Sequence, residues 1–187
     1  KKMRYYAEME QEIKEEKIDT SISKLYLRCG YTAFRIKFDS GMYYGNKALD
    51  HSKKIGFKKG MADAYYLIGL CYQYKGDYYN NNFFGEKALA IYESINQEQK
   101  VYDCYTIIGN GFTSIGNLEK GLEYHFKSLK GREKMKDTSG IGLSLMNIGR
   151  AYRLQNEYKK AVEYYSQSLS IGRKQKNYRS VANCLNN

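Results

Sequence analysis

A shift of 40 residues lays this chain over itself, bringing Leu49, Leu89, Leu129 and Leu169 into one column and Tyr44, Phe84, Tyr124 and Tyr164 into another. Further columns keep the same phase: Ile68, Ile108 and Ile148, with Arg28 the exception; Gly69, Gly109 and Gly149, with Cys29; Ala48, Ala88, Ser128 and Ser168; Gly41, Asn81, Gly121 and Ala161. Chance does not hold six columns in register over four copies. Self-similarity at such a period marks an array in which each unit buries its apolar face against the next.

Each copy has the same internal grammar, seen in Met61 to Tyr74 and Tyr78 to Ile95: two segments with apolar residues at helical spacing, split by a short polar turn. The turns are Gly76-Asp77, Gly116-Asn117 and Asn156-Glu157, with Asp39-Ser40-Gly41 near the corresponding place in the first copy. Gly, Asn and Asp end one helix and start another, because they tolerate a left-handed backbone or cap the helix that follows. Each unit is therefore helix A, turn, helix B, and the absence of proline from all 187 residues leaves both helices uninterrupted. The expected fold is all-α, a right-handed α-solenoid of antiparallel helix pairs. Its units are residues 22–61 (degenerate), 62–101, 102–141 and 142–181, preceded by an N-terminal helix or cap over 1–21 and followed by the start of a further helix at 182–187.

A glycine in the middle of a helix costs about 1 kcal/mol against alanine unless something needs the space. Here the facing helix needs it. Small residues recur on helix A (Gly69, Gly109, Gly149) and on helix B (Ala48, Ala88, Ser128, Ser168), so the two backbones can approach while Tyr72, Phe112 and Tyr152 fill the seam. The 21 tyrosines fall in regular columns, which makes most of them core, with the hydroxyl at the rim.

These columns resemble the tetratricopeptide repeat: a small apolar residue then glycine, an aromatic three further on, and Ala or Ser followed by Leu in helix B. The clearest stretch is Leu145-Met146-Asn147-Ile148-Gly149-Arg150-Ala151-Tyr152 with Tyr158 and Ala161, joined by Ile108-Gly109 with Gly116-Asn117. The long unit is similar to that of Leu-Gly-Asn repeat scaffolds, bacterial peptide-pheromone receptors and the sensory regions of bacterial two-component proteins. The resemblance implies a concave wall of helix A residues on which an extended or helical peptide lies. Carried over residue by residue, the groove is Asp63, Tyr66, Leu67, Leu70 and Gln73; Asp103, Thr106, Ile107, Asn110 and Thr113; Met146, Asn147, Arg150 and Arg153; and Asn187. Asparagine amides offer a donor and an acceptor to a peptide backbone, or are plain solvated residues. Arg150 and Arg153 share a helix face and could hold a carboxylate, or pair internally with Glu157 or Asp137.

The formal charge of +11 invites a polyanion. The cations sit mainly at helix B ends: Lys53, Lys54, Lys58 and Lys59; Lys127, Lys130, Arg132, Lys134 and Lys136; Arg173, Lys174, Lys176 and Arg179. A helix C-terminus stabilises a cation by about 0.3–1 kcal/mol, which accounts for much of the bias and makes nucleic acid the less favoured partner. No HExxH, GxSxG or phosphate-cradling loop occurs, His51 and His125 fall at different repeat positions, and no Cys or His pair has ligand spacing. No catalysis, metal or cofactor is expected. Cys29, Cys71, Cys104 and Cys184 lie apart among apolar residues and read as free thiols of a reducing compartment. The expected location is cytoplasmic, or periplasmic if a longer chain carries a leader. The first residue is not methionine and the last ones stop inside an apolar segment, so the chain reads as a piece of a longer protein. The functional expectation is a non-catalytic protein- or peptide-binding scaffold, the sensory or docking region of a bacterial signalling protein. The alternatives are a homo-oligomerising module, using Val181, Cys184 and Leu185, and a nucleic-acid-associated regulator.

Overall fold

A computed structural model describes residues 20–34 and 36–176, and among these the regular structure is helix alone. Its elements are α1 (Thr20–Phe34), α2 (Phe38–Lys54), α3 (Lys58–Lys75), α4 (Tyr78–Ser94), α5 (Glu98–Ser114), α6 (Leu118–Lys134), α7 (Thr138–Leu154) and α8 (Tyr158–Lys174). The fold is an α-solenoid of antiparallel helix pairs. Most of the expected N-terminal helix, the 182–187 fragment, and Arg179, Val181, Cys184, Leu185 and Asn187 lie outside the described residues. The chain divides into two compact units, Lys1–Gln97 and Glu98–Asn187, with α1–α4 in the first and α5–α8 in the second. No described helix is long and apolar enough to cross a membrane.

The turns follow from their residues. Gly76 and Gly116 end α3 and α5 in the left-handed region, at φ 82° and 84°. Asp77 and Asn117 then cap the next helix, accepting from the backbone N–H of Asn80 and Lys120, a bond typically worth about 1 kcal/mol. The first copy differs from expectation: Asp39, Ser40 and Gly41 belong to the first turn of α2, and the break falls at Ile36-Lys37. A frame starting at 62, 102 or 142 also cuts α3, α5 and α7 after their first turn, since a periodic array leaves the phase of its unit open.

Within the second unit α5 and α6 meet glycine on glycine. A Cβ on Gly109 would stand 3.2 Å from the Gly121 carbonyl oxygen, and one on Gly121 the same distance from the Gly109 carbonyl. In the next pair Gly149 meets the Ala161 carbonyl at 3.2 Å. The partner of the helix A glycine is thus the residue at 121 or 161, not the expected Ser128 or Ser168. Those serines meet the first half of helix A, where Ser168 donates to the Gly142 carbonyl at 2.7 Å.

Beside these crossings lie stacked rings. Tyr72 lies on Phe84 (5.4 Å), Phe112 on Tyr124 (5.7 Å) and Tyr152 on Tyr164 (5.5 Å), with interplanar angles of 8°, 10° and 11°. Such pairs add about 0.5–1.5 kcal/mol to the burial of the rings. The aliphatic core of the first unit joins Leu27, Ala48, Leu49, Ala64, Leu67, Ile68 and Cys71. That of the second includes Leu122, Leu129, Leu145, Ile148 and Ala151. Cys29, Cys71 and Cys104 are buried thiols outside any disulfide; burial, with Asp39 adding to it, pushes Cys71 up to about 12, so its thiol stays protonated and unreactive.

Candidate functional site

The second unit gathers most of the expected groove residues on α5 and α7, although not all of them are free to bind. Thr106 is buried and bonded to the Tyr102 carbonyl and the Ser128 hydroxyl. Thr113 is buried against His125 Nε2 at 3.3 Å. Asp103 is held by Arg132 at 2.8 Å and by Lys100 at 3.5 Å. Ile107 and, in the first unit, Leu67 are core. Thr106, Thr113 and Asp103 are thus engaged by α6, and Ile107 and Leu67 are withdrawn from solvent.

What remains as a solvent-facing strip on α5 and α7 is Asn110, Met146 and Arg150, all half-buried, with Arg153 exposed and Asn147 at their border. Arg150 Nη2 donates to Ser114 Oγ at 3.0 Å, so the guanidinium bridges α7 to α5 rather than reaching Glu157 or Asp137. Glu157 instead lies 3.6 Å from Lys160, and Asp137 2.7 Å from Arg132. One helical turn before the two bridging residues come Asn110 on α5 and Met146 on α7.

Asn147 is the unusual member. In the 40-residue frame its counterparts are Leu27, Leu67 and Ile107, all buried aliphatics. Asn147 is 6% exposed, and its amide Nδ2 has no hydrogen-bond partner. An unsatisfied buried amide costs about 1–3 kcal/mol, and a leucine would avoid that cost. In the first unit Gln73 has a comparable orphan, its Oε1, while Tyr66 on the same helix is half-buried.

Sequence reading missed a second polar system that fastens helix A to helix B. In three of the four pairs the residues 29 apart match one another in chemistry. Ser52 donates to Ser23 at 3.0 Å, the Tyr92 hydroxyl donates to Asp63, and Arg132 donates to Asp103 at 2.8 Å. Arg132, one of the cations expected at the helix B ends, is 5% exposed, and its fork also takes Asp137 at 2.7 Å and Ser128 at 3.1 Å. Gly140 makes room, since a Cβ there would run into Arg132 Nη1. The signal lay in the repeat itself, where Ser/Ser, Asp/Tyr and Asp/Arg change together.

His125, 1% exposed, packs its ring over Gly109. Desolvation, with Arg150 nearby, lowers it to about 3, so the imidazole is neutral near pH 7. The one hydroxyl bonded to the ring, Thr113 Oγ1, is buried with it. Among the described residues no group of three or more His, Cys, Asp or Glu is placed to hold a metal ion.

Comparison with known proteins bears on the repeat and its fold. Residues 143–174, which contain Asn147 and Arg150, match the tetratricopeptide repeat family. No curated protein sequence matches the chain. Among solved structures it is similar to a signal transduction ATPase with numerous domains, carrying a tetratricopeptide repeat sensor, from Pyrococcus horikoshii (TM-score 0.83, 19% identity, 94% of this chain and 28% of that one). It is also similar to a Rap protein complexed with competence and sporulation factor (TM-score 0.81, 17% identity, 95% and 50%). A third is aspartyl phosphate phosphatase F from Bacillus subtilis (TM-score 0.76, 17% identity, 88% and 44%). The chain thus spans half or less of these proteins, and at such identities the likeness shows the fold alone. The helix-pair repeat is of the tetratricopeptide type, a fold typical of protein-binding scaffolds.

Proposed function

We propose that the chain is a non-catalytic docking or sensory region of a larger bacterial signalling protein, and that the α5–α7 strip of its second unit grips a peptide or protein partner. Asn147 carries the reading. It places an unsatisfied amide donor where three other copies place an aliphatic, beside a half-buried guanidinium suited to a carboxylate. A rotation of the side chain toward the strip would let a peptide backbone carbonyl supply the missing acceptor. Asn110 and Met146 line the next turn, and Arg153 marks the exposed rim. Each hydrogen bond contributes only about 0.5–1.5 kcal/mol net, so recognition is spread over several residues. A Rap protein of similar fold complexed with competence and sporulation factor supports the reading.

A test follows that needs no knowledge of the partner. Asn147→Leu restores the aliphatic of the other copies and should raise stability by about 1–2 kcal/mol in urea denaturation. A loss of stability would mean that the amide is a satisfied structural group, and the assignment would fall.

A second reading, self-association, draws on Leu154, Tyr158 and Val162, which are 43%, 60% and 64% exposed around the α7–α8 turn.

A further inference from the structure

The lysines near residue 55 do not all sit where a helix dipole would favour them. Lys53 and Lys54 close α2, but Lys58 and Lys59 open α3. That first turn has no acidic residue, and its N-cap, Phe57, offers no side-chain bond. A cation there opposes the dipole, so the expectation drawn for helix ends fails for these two residues.

Lys24 joins them from α1. Its ammonium lies 6.0 Å from the Phe57 ring centroid, and the Ser52–Ser23 bond sets this part of α1 against the end of α2. All five lysines are exposed. None has a carboxylate partner among the described residues: Lys24 donates to Thr20 Oγ1, and Lys53 lies 5.9 Å from the Tyr65 ring centroid. In the second unit Lys100, Lys127, Lys134 and Lys160 each lie within 4.0 Å of a carboxylate. Asp50 and Asp63 stand one helical turn from Lys53, Lys54 and Lys59 without closing an ion pair, so the five charges are only partly compensated within the described chain.

We infer that the α2–α3 end of the first unit is a docking surface for a short acidic segment of a partner protein, held by Lys24, Lys53, Lys54, Lys58 and Lys59. The patch is brief, for the corresponding end of α4 reads Glu93-Ser94. A nucleic-acid strand needs a longer cationic track than one turn, whereas four or five carboxylates do not. Phe57 and Tyr65 are half-buried, not open faces for stacking bases. Lysine, a mobile point charge, reads charge density and not the planar geometry that an arginine fork selects.

The test titrates the whole chain with a labelled octaglutamate peptide and with a labelled single-stranded oligothymidylate of equal length. The peptide should bind, more weakly as salt rises. K53Q/K54Q/K58Q/K59Q should weaken it by about tenfold or more, while K120Q/K130Q/K136Q/K174Q in the second unit stays within about twofold. Helical circular dichroism should be the same for all three proteins. No peptide binding at low salt, equal losses in both variants, or tighter binding of the oligothymidylate would each overturn the inference.

Discussion

Replacing Arg132 by methionine is expected to lower stability by about 3 kcal/mol, measured as the shift of a urea denaturation curve. The guanidinium is 5% exposed and joins α5 to α6 through Asp103 and to the start of α7 through Asp137. Its removal leaves two carboxylates facing each other across an apolar stem. Both are about a quarter exposed (26% and 25%) and so retain some hydration, which places the loss at the lower end of the usual range for breaking a buried pair. Arg132→Tyr should lose distinctly less, because the first unit solves the same position with Tyr92 donating to Asp63. Equal losses for methionine and tyrosine would show that the matched pairs are incidental.

Acid should act on His125. Its folded-state value lies near 3, against 6.5 for the free imidazole. Between these values the unfolded chain binds the extra proton, so the stabilising contribution is complete above pH 6.5 and falls with pH until about 3. At about 1.4 kcal/mol per unit, the loss reaches about 3 kcal/mol near pH 4.5. Thr113 on α5 and Arg150 on α7 are the groups around the ring, and the arginine only deepens the depression. His125→Gln removes the titrating group, so its stability should fall less over the same range when both proteins are followed by urea denaturation. Parallel curves would assign the acid sensitivity to carboxylates instead.

The helix pairs were legible because period, turn residues and apolar columns all point the same way. Gly76-Asp77 and Gly116-Asn117 stop and cap helices as their chemistry dictates, and the aromatic columns stack. Less legible was the division of helix A between solvent and core. Thr106, Thr113, Leu67 and Ile107 share the spacing of groove residues yet turn inward; a shift of one position moves a residue by about 100° around a helix, and sequence does not fix that rotation. Arg132 reads as one more cation at a helix B end, and only the residue 29 positions before it betrays its partner. Lys58 and Lys59 changed meaning for a simpler reason, since a boundary misplaced by four residues turns a favourable helix end into an unfavourable one.

The central claim, that the α5–α7 strip holds the partner, is tested most directly by capture from the protein's own cell extract. The whole chain and an Asn147→Ala/Arg150→Ala variant would be run side by side, with bound proteins identified by mass spectrometry. The account predicts a partner retained by the unaltered chain and lost with the variant, while the helical melts of the two remain close. A partner held equally by both would contradict it, and recovery of the chain alone would favour self-association instead.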